Sequence, residues 1–344
     1  MLMGRFGRQS ATSGGVLGLF DGAVGAWGLT DNWRVGGVVG QPVENQLGGT
    51  NKTFYGANVE AENLANKWGG QAFAIRQNVS GYEDRTGVGG ELRYFDAGWN
   101  VYSLFDYDTT FRTTNIGMVQ GNIFFPTSTS VNLLYDYRRT PTLQLTNALV
   151  VDPTSTISMF VQTLGLGATR ELAKAVTPIS RVAFVGVTQQ LSPRWQLGGD
   201  VRVSSLSATA PFGTTYPGTP STGRVYTYTI QSIANNLTPW QDILVLTGDV
   251  LRSRDLDAVQ LGLDFRFNLW QDFLLEPLFR WYRQTDTRDA TLTRTTPGLH
   301  MLWRVADRFS IEAEGDWEFT HTKSPVIVDD VRRRFYYVGW RFDL

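Results

Sequence analysis

Cysteine is absent from the 344 residues. A disulfide framework, a thiolate metal site and a cysteine nucleophile are therefore excluded. Histidine occurs only at positions 300 and 321, so a histidine-rich metal centre is nearly excluded, and no cofactor or metal is expected. No run of 18 or more apolar residues exists, which removes a transmembrane helix. Charge of one sign is lacking as well. The net charge of −1 offers no basic excess to hold nucleic acid. The opening residues lack a charged start, an apolar core and a small-residue cleavage site, with Arg5 and Arg8 falling where the core would lie. The chain is expected to be the C-terminal part of a longer exported protein.

Aromatics and glycine are plentiful, at 13% of residues and 36 residues respectively, and the dominant period is 2. In 258–269 one face reads Val259, Leu261, Leu263, Phe265, Phe267 and the other Gln260, Gly262, Asp264, Arg266, Asn268. Segments 99–108 and 309–320 alternate in the same way. Such alternation signals strands with one apolar face. Their length, about 9–12 residues, suits a tilted strand that crosses a bilayer.

Connections alternate between tight and long. The tight ones fall at 30–32, 65–67, 97–98, 126–129, 192–194, 237–239, 270–272 and 306–308, and the long ones at 42–53, 78–87, 139–179, 207–223 and 322–331. An aromatic stands at nearly every tight turn: Trp33, Trp68, Trp99, Trp195, Trp240 and Trp270. In a barrel these positions form the interfacial girdle, where an apolar ring with a wet N–H is favoured. The pattern predicts an all-β, antiparallel, up-and-down transmembrane barrel spanning 1–344 as one domain in the bacterial outer membrane. It has 18 strands, with 16 and 20 left open.

The chain ends Tyr337-Val338-Gly339-Trp340-Arg341-Phe342-Asp343-Leu344. Tyr337, Gly339, Phe342 and Leu344 resemble the C-terminal signal of outer-membrane barrels, which implies recognition by the barrel-assembly machinery. Many such signals end in Phe, so Leu344 departs from the pattern.

The segment 139–180 breaks the alternation. Asp152-Pro153-Thr154 signals a helix start, and Ile157, Phe160, Val161 and Leu164 follow at helical spacing. A second short helix is expected over 169–176. Two readings stay open: a constriction or lid at the pore, and an ornament on the barrel rim.

The polar faces carry Asp106, Asp136, Arg138, Asp200, Arg202, Asp264, Arg266, Arg280, Arg304, Glu312, Glu314, Asp316 and Glu318, with Arg76 among further basic residues. These are the expected lumen residues. Asp136 with Arg138, Asp200 with Arg202 and Asp264 with Arg266 are expected to neutralise one another. The strip Glu312, Glu314, Asp316 and Glu318 holds no base and is the best candidate for a cation-favouring field. His321 near Ser324 lacks a serine motif and a third catalytic member, so an enzyme is not expected.

The opening Gly4-Arg5-Phe6-Gly7-Arg8-Gln9, the run Gly14-Gly15-Val16-Leu17-Gly18-Leu19-Phe20-Asp21-Gly22, and Thr146-Asn147-Ala148-Leu149 before Arg170-Glu171-Leu172-Ala173 carry a resemblance. They resemble the C-terminal barrels of proteobacterial exopolysaccharide exporters with periplasmic tetratricopeptide repeats, those for cellulose, poly-N-acetylglucosamine and Pel. The opening is also similar to alginate-export-like porins. The resemblance implies passage of a polysaccharide, with periplasmic export partners and outer-membrane lipid around the barrel. The alternative is an anchor or surface-interaction barrel with a filled lumen. Around 18 strands favour an open one.

Deleting 342–344 is expected to abolish assembly in vivo. A heat-modifiable barrel recovered from the outer membrane after that deletion would contradict the assembly-signal reading.

Overall fold

The computed structural model describes residues 2–10, 15, 18–43, 52–270 and 272–343. The chain is all-β, with eighteen antiparallel strands in up-and-down order in one sheet. The first nine are β1 (Leu2–Ser10), β2 (Leu19–Gly28), β3 (Trp33–Pro42), β4 (Lys52–Leu64), β5 (Trp68–Val79), β6 (Tyr82–Asp96), β7 (Trp99–Asp108), β8 (Thr113–Phe125) and β9 (Thr129–Arg139). After a helical segment come β10 (Ile179–Gln190), β11 (Trp195–Leu206), β12 (Val225–Asn235), β13 (Ile243–Arg252), β14 (Leu256–Trp270), β15 (Phe273–Asp286), β16 (Thr291–Ala306), β17 (Phe309–Lys323) and β18 (Val328–Phe342). This is the strand layout of an up-and-down transmembrane β-barrel, and the count matches the sequence pattern.

The chain has two compact units, the first made of 1–123, 132–183 and 204–222 and the second of 124–131, 184–203 and 223–344. In the first, hairpin pairing runs without interruption from β1 to β8. In the second it runs from β12 to β18. Each unit shows two faces of opposite chemistry. One face of the first is bare and apolar, with Val39, Val59, Val88, Leu92, Phe105 and Val119 each more than a third exposed. The second unit shows Ile230, Leu246, Leu261, Leu263, Phe279 and Leu299 in the same state.

The connection expected at 78–87 is a correction. Strand β5 runs to Val79 and β6 starts at Tyr82, joined only by Ser80 and Gly81. Both have positive φ, 49° and 83°, as a primed two-residue hairpin turn requires. The Ser-Gly dipeptide was the available signal, hidden by the polar run Glu83-Asp84-Arg85 beyond it. The connection before β18 is also shorter than expected, 324–327, and most of the one at 42–53 lies outside the described residues.

The turn before β13 differs in the opposite sense. It spans 236–242, so Trp240 precedes the strand instead of opening it. Buried Asp242 organises this turn. Its carboxylate accepts the N–H of Leu237 at 3.1 Å and of Thr238 at 2.7 Å, and the Thr238 hydroxyl at 2.7 Å. Replacing Asp242 by Ala strands those donors and is expected to destabilise the fold by about 1–3 kcal/mol. A urea midpoint equal to that of the unaltered chain would contradict this.

Candidate functional site

The first unit's other face is covered. Residues 140–178 fold back onto it, through a 3-10 helix (Leu145–Val151) and the helices α1 (Ile157–Leu164) and α2 (Leu166–Ala175). The expected helix start at Asp152 is displaced. Asp152 instead closes a local turn with the N–H and hydroxyl of Thr154 and the hydroxyl of Ser155. Those two hydroxyls, Ser155 first, hold its carboxyl below the usual carboxylate range. Thr156 caps α1 by accepting the N–H of Met159 at 3.2 Å.

The segment has its own core. Leu143, Leu145, Leu149, Ile157 and Phe160 pack together with Val79 and Phe111 of the sheet and its connections. Beside this core stand buried polar pins. Lys52 Nζ lies 3.3 Å from Gln144 Oε1 and 3.6 Å from Asp84. Gln77 donates to Asp84 at 2.6 Å and to Gln144 at 2.7 Å. The N–H of Thr146 donates to Asp84 at 3.0 Å, and that of Leu143 to Asn115 at 3.1 Å. Arg170 of α2 adds an ion pair to Glu83 at 3.7 Å. Lys52 sits opposite Val79, and Gln77 opposite Phe54, on the covered face. The segment is therefore seated on the side of the sheet opposite the bare apolar face.

Of the expected lumen residues in this unit, Asp136 and Arg138 pair at 2.7 Å. Asp106 shares the covered face but is a correction as a water-lining residue. It is 1% exposed and gripped by Arg85 at 2.6 Å. Arg76 is also corrected, since it sits opposite Tyr55, away from the covered face. The cause lies in β5, where Phe73 and Ile75 are buried on the covered face beside Gln71 and Gln77. Apolar residues on that face inverted the reading of the alternation.

In the second unit the face opposite Leu261 and Leu263 is charged. Cross-strand register puts Glu276 beside His300 and His300 beside Glu314. The imidazole bridges two carboxylates, Glu276 at 3.2 Å through Nδ1 and Glu312 at 2.9 Å through Nε2. Glu318 meets Arg294 at 3.5 Å and Arg333 at 3.6 Å. Of the acidic strip this leaves Glu314, which forms no ion pair among the described residues, and Asp316, whose Oδ1 is buried with no hydrogen-bond partner.

The expected neutralisation of Asp200 by Arg202 and of Asp264 by Arg266 is not seen as ion pairs among the described residues. Asp136 and Arg138, two apart on β9, do pair, so spacing along a strand does not forbid the contact and the cross-strand neighbours decide. Asp200 accordingly has Thr229 and Asp249 as neighbours, and Asp264 lies against Glu276, with Arg266 and Arg280 nearby. His321 Nδ1 is bonded to Asp330 at 2.7 Å, and the Ser324 hydroxyl donates to the Ile327 carbonyl. The two are thus engaged with other partners.

The six girdle tryptophans, Trp33, Trp68, Trp99, Trp195, Trp240 and Trp270, are 37–57% exposed. Trp68 meets Tyr94 at 4.6 Å, Trp240 meets Phe267 at 5.8 Å and Trp270 stacks on Phe273 at 4.7 Å. The sequence reading missed Trp27, Trp303 and Trp340, equally exposed near the same short-turn ends. They precede a turn or stand near the end of the last strand. In the C-terminal motif, Tyr337 and Gly339 face Glu314 and Glu312, and Phe342 pairs with Phe309. A Cβ at Gly339 would meet the ring end of the Tyr337 side chain, which would have to turn aside. Leu344 lies outside the described residues.

No protein-family model matches the chain, and no curated protein matches it. Among solved structures it is similar to the copper transporter OprC, with 9% identity and a TM-score of 0.49 over 100% of this chain and 64% of that one. It is also similar to OmpT of Vibrio cholerae, with 10% identity and a TM-score of 0.42 over 91% and 98%. A bacterial polysaccharide outer membrane secretin shares 11% identity at a TM-score of 0.36, over 91% and 98%.

Replacing Asp84 by Ala removes the carboxylate beside buried Lys52 and the acceptor of Gln77 and Thr146. Breaking a buried pair in this way is expected to cost about 3–5 kcal/mol and to loosen the helical segment. Limited proteolysis should then cut within 143–176 faster than in the unaltered chain, and an equal rate would contradict the pinning role.

Proposed function

We propose that the chain is a channel of the bacterial outer membrane for hydrophilic solutes, with the helical segment as its constriction. The observation that carries this is the opposed chemistry of the two faces. Exposing a large apolar side chain to water instead of burying it costs about 1.5–3 kcal/mol. The bare face repeats that exposure along strand after strand, and lipid removes it. Strands of 9–16 residues are long enough to cross the apolar band. The bare tryptophans sit at its edge, where outer-membrane lipid meets water. The charged face of the second unit then meets lumenal water, and in the first unit the pinned helices stand on the lumenal side of the sheet. The barrel-assembly machinery is the expected assembly partner, through the C-terminal motif.

The finer reading is that the solute is a polysaccharide and that the chain works with periplasmic export partners. The resemblance of the opening motif and of Thr146–Leu149 to exopolysaccharide exporters supports it. Planar-bilayer recordings separate this function from an anchor with a filled lumen, which passes no current. Deleting 152–176 is expected to raise single-channel conductance several-fold, and an unchanged conductance contradicts the constriction. Because Glu312 and Glu318 are already engaged, the double change Glu314→Gln with Asp316→Asn is expected to carry most of any loss of cation preference. Equal reversal potentials before and after it would make the strip structural.

A further inference from the structure

The second unit holds a basic cluster that no part of the acidic strip explains. Near the short-turn end of the charged face, register places Arg304 beside Ser310, and Ser310 beside Arg341. A single small hydroxyl residue thus separates two arginines on one face, their backbones roughly 10 Å apart. Arg266 joins them around a cavity of about 670 Å³.

Carboxylates are present here too, and their engagements decide what the cavity can take. Glu312 is turned to His300 at 2.9 Å, and exposed Asp343 accepts from Arg341 Nε at 2.8 Å. Asp272 on the adjoining turn is the remaining acid in the wall. The Arg304 guanidinium forms no ion pair among the described residues. Two planar forks flanking a hydroxyl form a clamp for a planar or tetrahedral oxyanion, because a guanidinium presents parallel N–H donors that a carboxylate or phosphate accepts in pairs. Among the described residues, the exposed Asp343 contact is the one ion pair that Arg304 and Arg341 hold.

We propose that Arg304, Ser310 and Arg341, with Arg266, form a subsite for an oxyanion group carried by the solute, a carboxylate or a phosphate. This deepens the channel reading and rests on it for access from water. The acidic neighbours one row further along the wall then confine the anion to this level.

The test uses the folded full chain in detergent and reads the heat of binding by isothermal titration calorimetry. Glucuronate, inorganic phosphate and neutral glucose are titrated in turn. A saturable response to glucuronate or phosphate is expected, with none to glucose. The relative affinity of the two anions distinguishes a sugar acid from a phosphate source. The double change Arg304→Gln with Arg341→Gln should weaken binding at least ten-fold. If that variant fails to show heat-modifiable folding, Arg304→Lys keeps the charge and loses the fork, and should still weaken binding several-fold. Equal affinity in folded variants, no response to either anion, or an equal response to glucose overturns the subsite. Conductance measured on the same preparation separates the two proposals. Arginine-dependent binding without current sinks the pore and keeps the subsite, and current without anion binding does the reverse.

Discussion

An apolar sheet face that remains exposed after folding constrains the rest of this chain. At about 25 cal/mol per Å², rows such as Val39, Val59, Val88 and Leu92 are unfavourable in water. They are favourable against hydrocarbon. Hydrocarbon in turn offers no hydrogen bonds to the backbone, so each strand must find its partners in neighbouring strands. The uninterrupted hairpin ladders of both units meet that demand. Irregular backbone is then confined to the strand ends and to the opposite face.

That confinement explains where the helical segment goes. Its backbone cannot lie on the lipid side, and its apolar residues need a partner. The 3-10 helix, α1 and α2 bury them against one another and against Val79 and Phe111. Their remaining polar groups meet buried side chains of β4, β5, β6 and β8. Lys52 and Asp84 are tolerated at near-zero exposure because each has several polar partners there. The segment is thus held to the sheet by buried polar contacts as well as by its apolar core.

Charge on the second unit follows the same geometry. Side chains on one face meet across strands more closely than along them. Glu276, His300 and Glu312 therefore form one bridge, while Arg304 and Arg341 approach across Ser310. The wall is consequently banded, basic near the short turns and acidic beyond, where the bare sequence reads as a mixture.

Strand number and hairpin order were legible in the sequence because each depends on local information. Period 2 sets a strand, and Gly and polar pairs set its turn. The exceptions were local too. Ser80-Gly81 went unread, and Phe73 and Ile75 inverted the faces of β5. What only the tertiary structure decided were contacts between residues far apart in the chain. Lys52 and Asp84 sit in stretches that read as loop, and their value comes from Gln144 and Thr146. Asp200 beside Arg202 reads as a pair and forms none among the described residues, because Asp200 lies against Thr229 and Asp249 of other strands. The arginine clamp exists only because β16, β17 and β18 hold one register, and no pattern within a single strand specifies how it aligns with the next.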